Sequence, residues 1–298
     1  MMFEPPETFM GVPAGLPGPG CRAAIVGVPF DCGTHPFHIG ARQGPTEVRR
    51  QSRLVRRFHP TLADRDVLAE LGVVDCGNVV LTPGRIEAAF PLIEAAADVV
   101  LAAGAVPVGI GGDGSVSLPL MRAVGKRHPG LVALHIDSHT DAYPYTADDR
   151  YNAATQFTHA AEEGAVDAAS SWHVGVRGFT YCGGVLAHAA GLGFRVVTID
   201  ELVRRGFAQA MAEFRDVVAG RPVYLCWDMD VFDPSVAPGV ATPTWGGLSA
   251  REGIELMRTL AGLEIVGMDF NTVSPPHDVQ GMTAHLCAHM MMEAMILL

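Results

Sequence analysis

"VGIGGDGSVS" (Val108–Ser117) is the stretch on which the choice of fold turns. Gly109, Gly111 and Gly114 spell G-x-G-x-x-G between an apolar run and a helical one. Taken alone, that is the phosphate cradle of a dinucleotide-binding βαβ unit. The same strand, turn and helix also suits one rim of a metal site at the carboxyl ends of a parallel sheet. The other strand ends separate the two readings.

Short, continuously apolar runs at 23–28, 72–75, 105–110, 131–136, 172–176, 194–199, 223–227 and 264–268 are bounded by turn residues. They predict strands buried on both faces of a parallel sheet. Helical patterns lie between many of them, at 86–103, 116–126, 207–219, 250–260 and 283–297, and Ser249 with Glu252 predicts a capping box. This alternation implies an α/β protein of three layers, α/β/α, around a mainly parallel eight-stranded sheet, with a TIM barrel or two doubly wound halves as alternatives. No composition break divides residues 21–298, so they read as one domain. Residues 1–20, rich in proline and glycine, read as an extended arm laid on a neighbouring subunit.

Of the 298 residues, 49% are hydrophobic and 18% charged, which suits a large globular core. A formal net charge of −11 argues against nucleic acid or an anionic membrane as partner. The sequence contains no apolar run long enough to span a bilayer and no signal-peptide pattern at its start. Its six cysteines form no C-x-x-C pair, which fits reduced thiols and a cytoplasmic setting.

Two strand ends are acidic. "LHIDSHTDAYP" places Asp137, His139 and Asp141 two residues apart, and "LCWDMDVFDP" places Asp228 and Asp230 likewise. Alternate residues of extended chain point the same way, so each segment can aim its ligands at one point. One such end reads as caps and surface acids. Two together supply four carboxylates and an imidazole, a donor set for Mn²⁺, Ni²⁺, Zn²⁺ or Fe²⁺. Without a cation those carboxylates would repel. A dinucleotide-binding oxidoreductase leaves His139, Asp141, Asp228 and Asp230 unexplained.

At this point the chain resembles the ureohydrolase family of arginases and agmatinases, its agmatinase branch most closely. The segments 26–45 (VGVPFDCGTHPFHIGARQGP), 135–143 (HIDSHTDAY), 173–178 (HVGVRG), 228–239 (DMDVFDPSVAPG), 246–253 (GGLSAREG) and 266–278 (VGMDFNTVSPPHD) follow that family's order. The resemblance implies an arginase-like fold, trimers or hexamers, and two metals activating a water against a guanidino carbon to release urea. It implies that Asp137 and Asp228 bridge the ions, that His139 and Asp230 complete one, and that Asp141 serves the other and the chemistry.

Three positions depart from the family pattern. Gly114 stands for the histidine of G-G-D-H-S, a ligand of the metal that Asp141 also binds. By register with Thr155, Phe157 and Gly164, the family's D-H-G becomes Asn152, Ala153 and Ala154, removing a proton-relay histidine. His159 is the candidate replacement. Thr272 stands for the glutamate that anchors the guanidinium, and threonine cannot form a paired charge-assisted bond. Thr272, His38 and Asn152 are the candidate substrate-binding residues.

The expected cofactor is a divalent transition metal, Mn²⁺ or Ni²⁺, with one tight site and one weak or absent. The expected function is hydrolysis of a guanidino or biguanide-type compound, within a homo- or hetero-oligomer containing a related ureohydrolase chain. The alternative is a non-catalytic subunit that stabilises or regulates an active partner, as in two-component nickel enzymes of this family. His285 and His289, four apart on a helical segment, read as packing or surface residues.

Overall fold

The computed structural model describes residues 7–33, 35, 37–62 and 64–298. Its framework is one sheet of eight strands: β1 (Ala23–Gly27), β2 (Val74–Asn78), β3 (Val106–Ile110), β4 (Val132–Ile136), β5 (Trp172–Val176), β6 (Arg195–Thr198), β7 (Pro222–Asp228) and β8 (Glu264–Asn271). They are ordered β2-β1-β3-β8-β7-β4-β5-β6, and every neighbouring pair is parallel. All eight expected strands are present. β1, β4 and β5 are buried along their whole length, as their unbroken apolar sequences require of strands covered on both faces.

Helices fill the crossovers at Ile86–Ala102, Ser117–Arg127, Phe207–Val218, Ala250–Arg258 and Met282–Met295, each close to its expected span. The Ser249 hydroxyl accepts from the Glu252 amide while the Glu252 carboxylate accepts from the Ser249 amide, completing the capping box. Two hydrophobic clusters form the core: Trp227, Phe270 and Met291 belong to one, Phe30, Leu120 and Tyr224 to the other. Among the described residues no helix is long and apolar enough to cross a membrane.

Residues 1–6 of the expected arm lie outside the described residues. Of the rest, the stretch from Phe9 to Val12 docks on this chain itself. Phe9, Met10 and Val12 are buried in this chain's own core. The Phe9 amide donates to Asp75 Oδ2 at 2.9 Å, and Ala14 bridges to Asp75 of the edge strand β2. Folding the arm back covers an edge that would otherwise present unpaired backbone groups.

The glycine turn after β3 is also explained. A Cβ on Gly112 would lie 1.6 Å from the Phe30 carbonyl oxygen, and one on Gly111 2.8 Å from Asn271 Cβ. Asp113 is buried, and its carboxylate accepts from the amides of Ser115 (3.1 Å) and Cys32 (2.7 Å). Within the turn the Gly111 amide donates to the Phe270 carbonyl (2.7 Å), the Asp113 amide to the Phe30 carbonyl (3.0 Å) and the Ser115 amide to the Asp113 carboxylate, so these donors are not free for a phosphate. The glycines permit close packing. They do not form a dinucleotide cradle.

The order of strands places the chemistry. β3, β8, β7 and β4 are consecutive in the sheet, so their carboxyl ends bring Gly114, Thr272, Asp228 with Asp230, and Asp137 with His139 and Asp141 to one crevice. That crevice, where successive strands run out to opposite sides, is where open α/β sheets bind ligands.

Candidate metal centre

The crevice encloses a cavity of ≈ 50 Å³ bordered by His139, Asp141, Asp228, Asp230 and Thr272. Asp137 lies 1% exposed beneath it. Donor atoms converge in two groups, one of Asp137, His139 and Asp230 and one of His135, Asp137 and Asp141. The atoms of each group lie within 4.8 Å of one another. Asp137 is common to both, where a bridging ligand would stand. Asp228 belongs to neither group. Its Oδ1 accepts from the Asp230 amide at 2.7 Å and from the Thr272 hydroxyl.

Local structure aims these groups. The Asp137 Oδ1 accepts the His139 amide at 2.6 Å. Asp230 Oδ1 accepts the Ser138 amide (3.1 Å) and hydroxyl (2.7 Å). Each carboxylate thus has one oxygen fixed by short-range donors. Asp230 Oδ2 faces His139 Nδ1 at 3.1 Å, and Asp137 Oδ2 is buried 2.8 Å from His135 Nε2. Asp141 turns back toward the cavity through a left-handed backbone, φ 48°, and Thr272 is left-handed too, φ 67°. Non-glycine residues in that region carry strain, and here both border the crevice.

Burial and mutual repulsion dominate the electrostatics. Burial, then the charge of Asp230, pushes the Asp137 carboxyl up to about 8. The same two causes hold Asp228 well above the carboxylate range, while burial and then Asp137 do so for Asp141. Burial works against ionisation of His139 and Asp230. Their mutual attraction outweighs it, raising His139 and lowering Asp230. Protons therefore hold the metal-free centre together.

A divalent ion fits the first group. Two buried carboxylates and an imidazole match the ligand preference of Mn²⁺ or Ni²⁺, and an added cation would discharge the repulsion between the carboxylates. The second group fits less well. A Cβ on Gly114 would lie 2.5 Å from Gln156 Nε2 and 2.9 Å from Asp141 Oδ2, and Gln156 Nε2 donates to that same oxygen.

The other candidates divide. His38 borders the cavity, with Nδ1 2.7 Å from the Ala241 carbonyl oxygen and its ring stacked on His277 at 3.6 Å. Ala153 borders it too, with no imidazole to offer. Asn152 is turned to local structure, its amide donating to Asp149 and its oxygen accepting the Ala154 amide. His159 also departs from expectation. It is buried between Tyr145 and Tyr151, with Nε2 2.7 Å from the Arg150 carbonyl oxygen, and does not border the cavity.

Sequence reasoning passed over three contributors. His135 precedes Asp137 by two on the same face of β4, so the alternation that selected Asp137 and His139 also pointed to it. Its Nε2 lies 2.8 Å from Asp137 Oδ2 and its Nδ1 2.9 Å from His173 Nδ1. Burial lowers it to about 3, leaving it a neutral nitrogen donor. Arg177 donates to the carbonyls of Asp230 (2.9 Å) and Thr244 (2.7 Å), tying together the loops around His139. Gln156 carried no sequence signal, because its partners come from distant strand ends.

Comparison with known proteins agrees with the fold. A model of the arginase family matches residues 21–297. The chain is 39% identical to guanidinopropionase of Pseudomonas aeruginosa over 294 residues, 98% of this chain and 91% of that one. It is 36% identical to agmatinase of Proteus mirabilis over 261 residues, 87% and 82% of the two chains. The structure of proclavaminate amidinohydrolase from Streptomyces clavuligerus superposes with a TM-score of 0.91 at 34% identity, covering 99% of this chain and 97% of that one.

Proposed function

Because the chain belongs to the arginase family of amidinohydrolases, we propose that it is a one-metal member acting on a guanidino or biguanide-type compound. In this reading it works as a subunit of a trimer or hexamer with a related chain whose centre is complete, in the cytoplasm. The observation that carries it is the Asp137–His139–Asp230 group, two buried carboxylates and an imidazole whose donor atoms lie within 4.8 Å of one another. Asp137, His139 and Asp230 would hold Mn²⁺ or Ni²⁺, with Asp228 beside them. When bound, the ion supplies Lewis-acid activation of water and substrate.

The chain's own residues set the rest. The Ser138 hydroxyl and amide keep Asp230 oriented, and Arg177 anchors the loop that carries it. His38 and Thr272 border the space for the guanidino group. Thr272 gives its hydroxyl to Asp228, so the pocket has no carboxylate clamp from that position. His159 and Asn152 serve as local structural residues, and Ala153 offers no proton relay. These three features favour a second reading, a subunit that stabilises or regulates a catalytic partner without turnover of its own.

Metal analysis after dialysis and a urea-release assay with Mn²⁺ or Ni²⁺ test both. About one ion per chain is expected, as for a single closed ligand set. Little urea from the isolated chain is expected, with activity on mixing with the complete relative. A chain that retains no metal refutes the metal reading. Robust turnover by the isolated chain refutes dependence on a partner. Full activity of the mixture when this chain's own ion is absent selects the non-catalytic reading.

A further inference from the structure

We propose that the Gln156 side-chain amide occupies the position of a second cation, and that Gly114 lacks a side chain to make room for it. The inference rests on the one-metal reading of the Asp137–His139–Asp230 group and assigns the cause of the missing second ion to a particular pair of residues.

Gly114 follows Asp113, the cap of a single 3₁₀ turn, and its φ lies outside the left-handed region that favours glycine. Any residue could adopt its backbone. Space is the constraint. A Cβ there would meet Gln156 Nε2 at 2.5 Å, Asp141 Oδ2 at 2.9 Å and the Ala153 carbonyl oxygen at 3.2 Å. All three are polar atoms, and Asp141 belongs to the second donor group, so a side chain at 114 would point toward it. Gln156 already fills that point.

The amide is built in. Gln156 is 1% exposed and opens the helix Gln156–Glu162, which is pinned to the site by the Phe157 amide donating to the Asp141 carbonyl at 3.0 Å. Its Nε2 donates to Asp141 Oδ2, while its Oε1 is buried with no hydrogen-bond partner. An orphaned buried carbonyl is costly. The contact with Asp141 is what the buried side chain gains in return. An N–H donor satisfies the carboxylate oxygen that would otherwise face an ion, and a cation entering here must break that bond and expel the amide.

Five full-length variants test the pair: Gly114→Ala, Gly114→His, Gln156→Ala and the double variants G114A/Q156A and G114H/Q156A. The first readout needs no metal. In EDTA, Gly114→Ala should lower Tm by about 2–5 °C, as an overpacked methyl does, and adding Gln156→Ala should recover most of it. The second readout is metal content in Mn²⁺. Wild type and Gly114→His should hold about one ion per chain, and G114H/Q156A about two, because both the ligand and the room for it are then present. The inference is overturned if Gly114→His alone binds a second ion at unchanged Tm, or if folded G114H/Q156A stays at one. A wild-type chain with no ion would refute the one-metal reading separately. The Tm cycle would still decide the steric pair, with purely additive losses overturning it.

Discussion

The metal-free protein should become less stable as pH rises from about 6 to about 8, the reverse of the behaviour of salt-bridged carboxylates. Asp137 is the principal cause, since burial and Asp230 push it up to about 8. In the unfolded chain the same group titrates near ~3.9. Between those values the folded state holds a proton that the unfolded state has released, so stability falls with rising pH. At ~1.36 kcal/mol per unit, reduced near the folded pKa, the loss over this interval is about 2 kcal/mol. With an unfolding entropy of ~2.1 cal/mol/K per residue over 298 residues, that is a fall in Tm of about 3 °C. Asp141, Asp228 and His139 are also raised and act in the same direction. Asp230 is lowered and has the opposite sign, but its contribution is lost only in acid. His135 and His173, held neutral by burial, oppose the fall in the lower part of the interval and are outweighed by the three raised carboxyls together. Thermal denaturation of EDTA-treated protein, followed by near-ultraviolet circular dichroism, measures the slope. Mn²⁺ should flatten or invert it, because ligation requires deprotonated carboxylates, and Asp137→Asn should reduce it without metal. A metal-free Tm that is equal or higher at the upper pH would refute the argument that protons hold this centre together.

Three other outcomes follow from particular contacts. Asp75→Ala should cost about 3–5 kcal/mol in urea denaturation, because it strands the buried Arg49 guanidinium now held by Asp75 at 2.7 and 2.8 Å. The same change frees the Phe9 amide, so limited proteolysis should cut near residue 9. Gly112→Ala should prevent recovery of soluble folded protein, since its methyl would lie 1.6 Å from the Phe30 carbonyl oxygen. Asp230→Asn should weaken metal retention by at least ~100-fold in competition with a chelator, more than loss of an outer hydrogen-bond partner does, while His159→Gln should lower Tm and leave metal content unchanged.

Much of the fold was legible because buried parallel strands write themselves as short apolar runs. All eight were recognisable from local sequence, and the capping box of Ser249 and Glu252 fixed a helix start to the residue. The docking of the start of the arm was not legible, because proline and glycine report backbone character. They say nothing of where Phe9 and Met10 find a partner, and that partner is β2 and the core of the same chain.

Within the centre, spacing by two identified Asp137, His139, Asp141, Asp228 and Asp230, since alternation on extended chain is a local property. The sequence by itself determined the strand–helix alternation and the acidic strand ends. Tertiary structure alone decided that β3, β8, β7 and β4 lie side by side, that His159 and Asn152 turn away from the cavity, and that Gln156 enters the space beside Gly114. The physical reason is range. Periodicity and capping act within a few residues, whereas the Gln156–Asp141 and Thr272–Asp228 contacts join segments 15 and 44 residues apart, whose approach is set by sheet order and close packing.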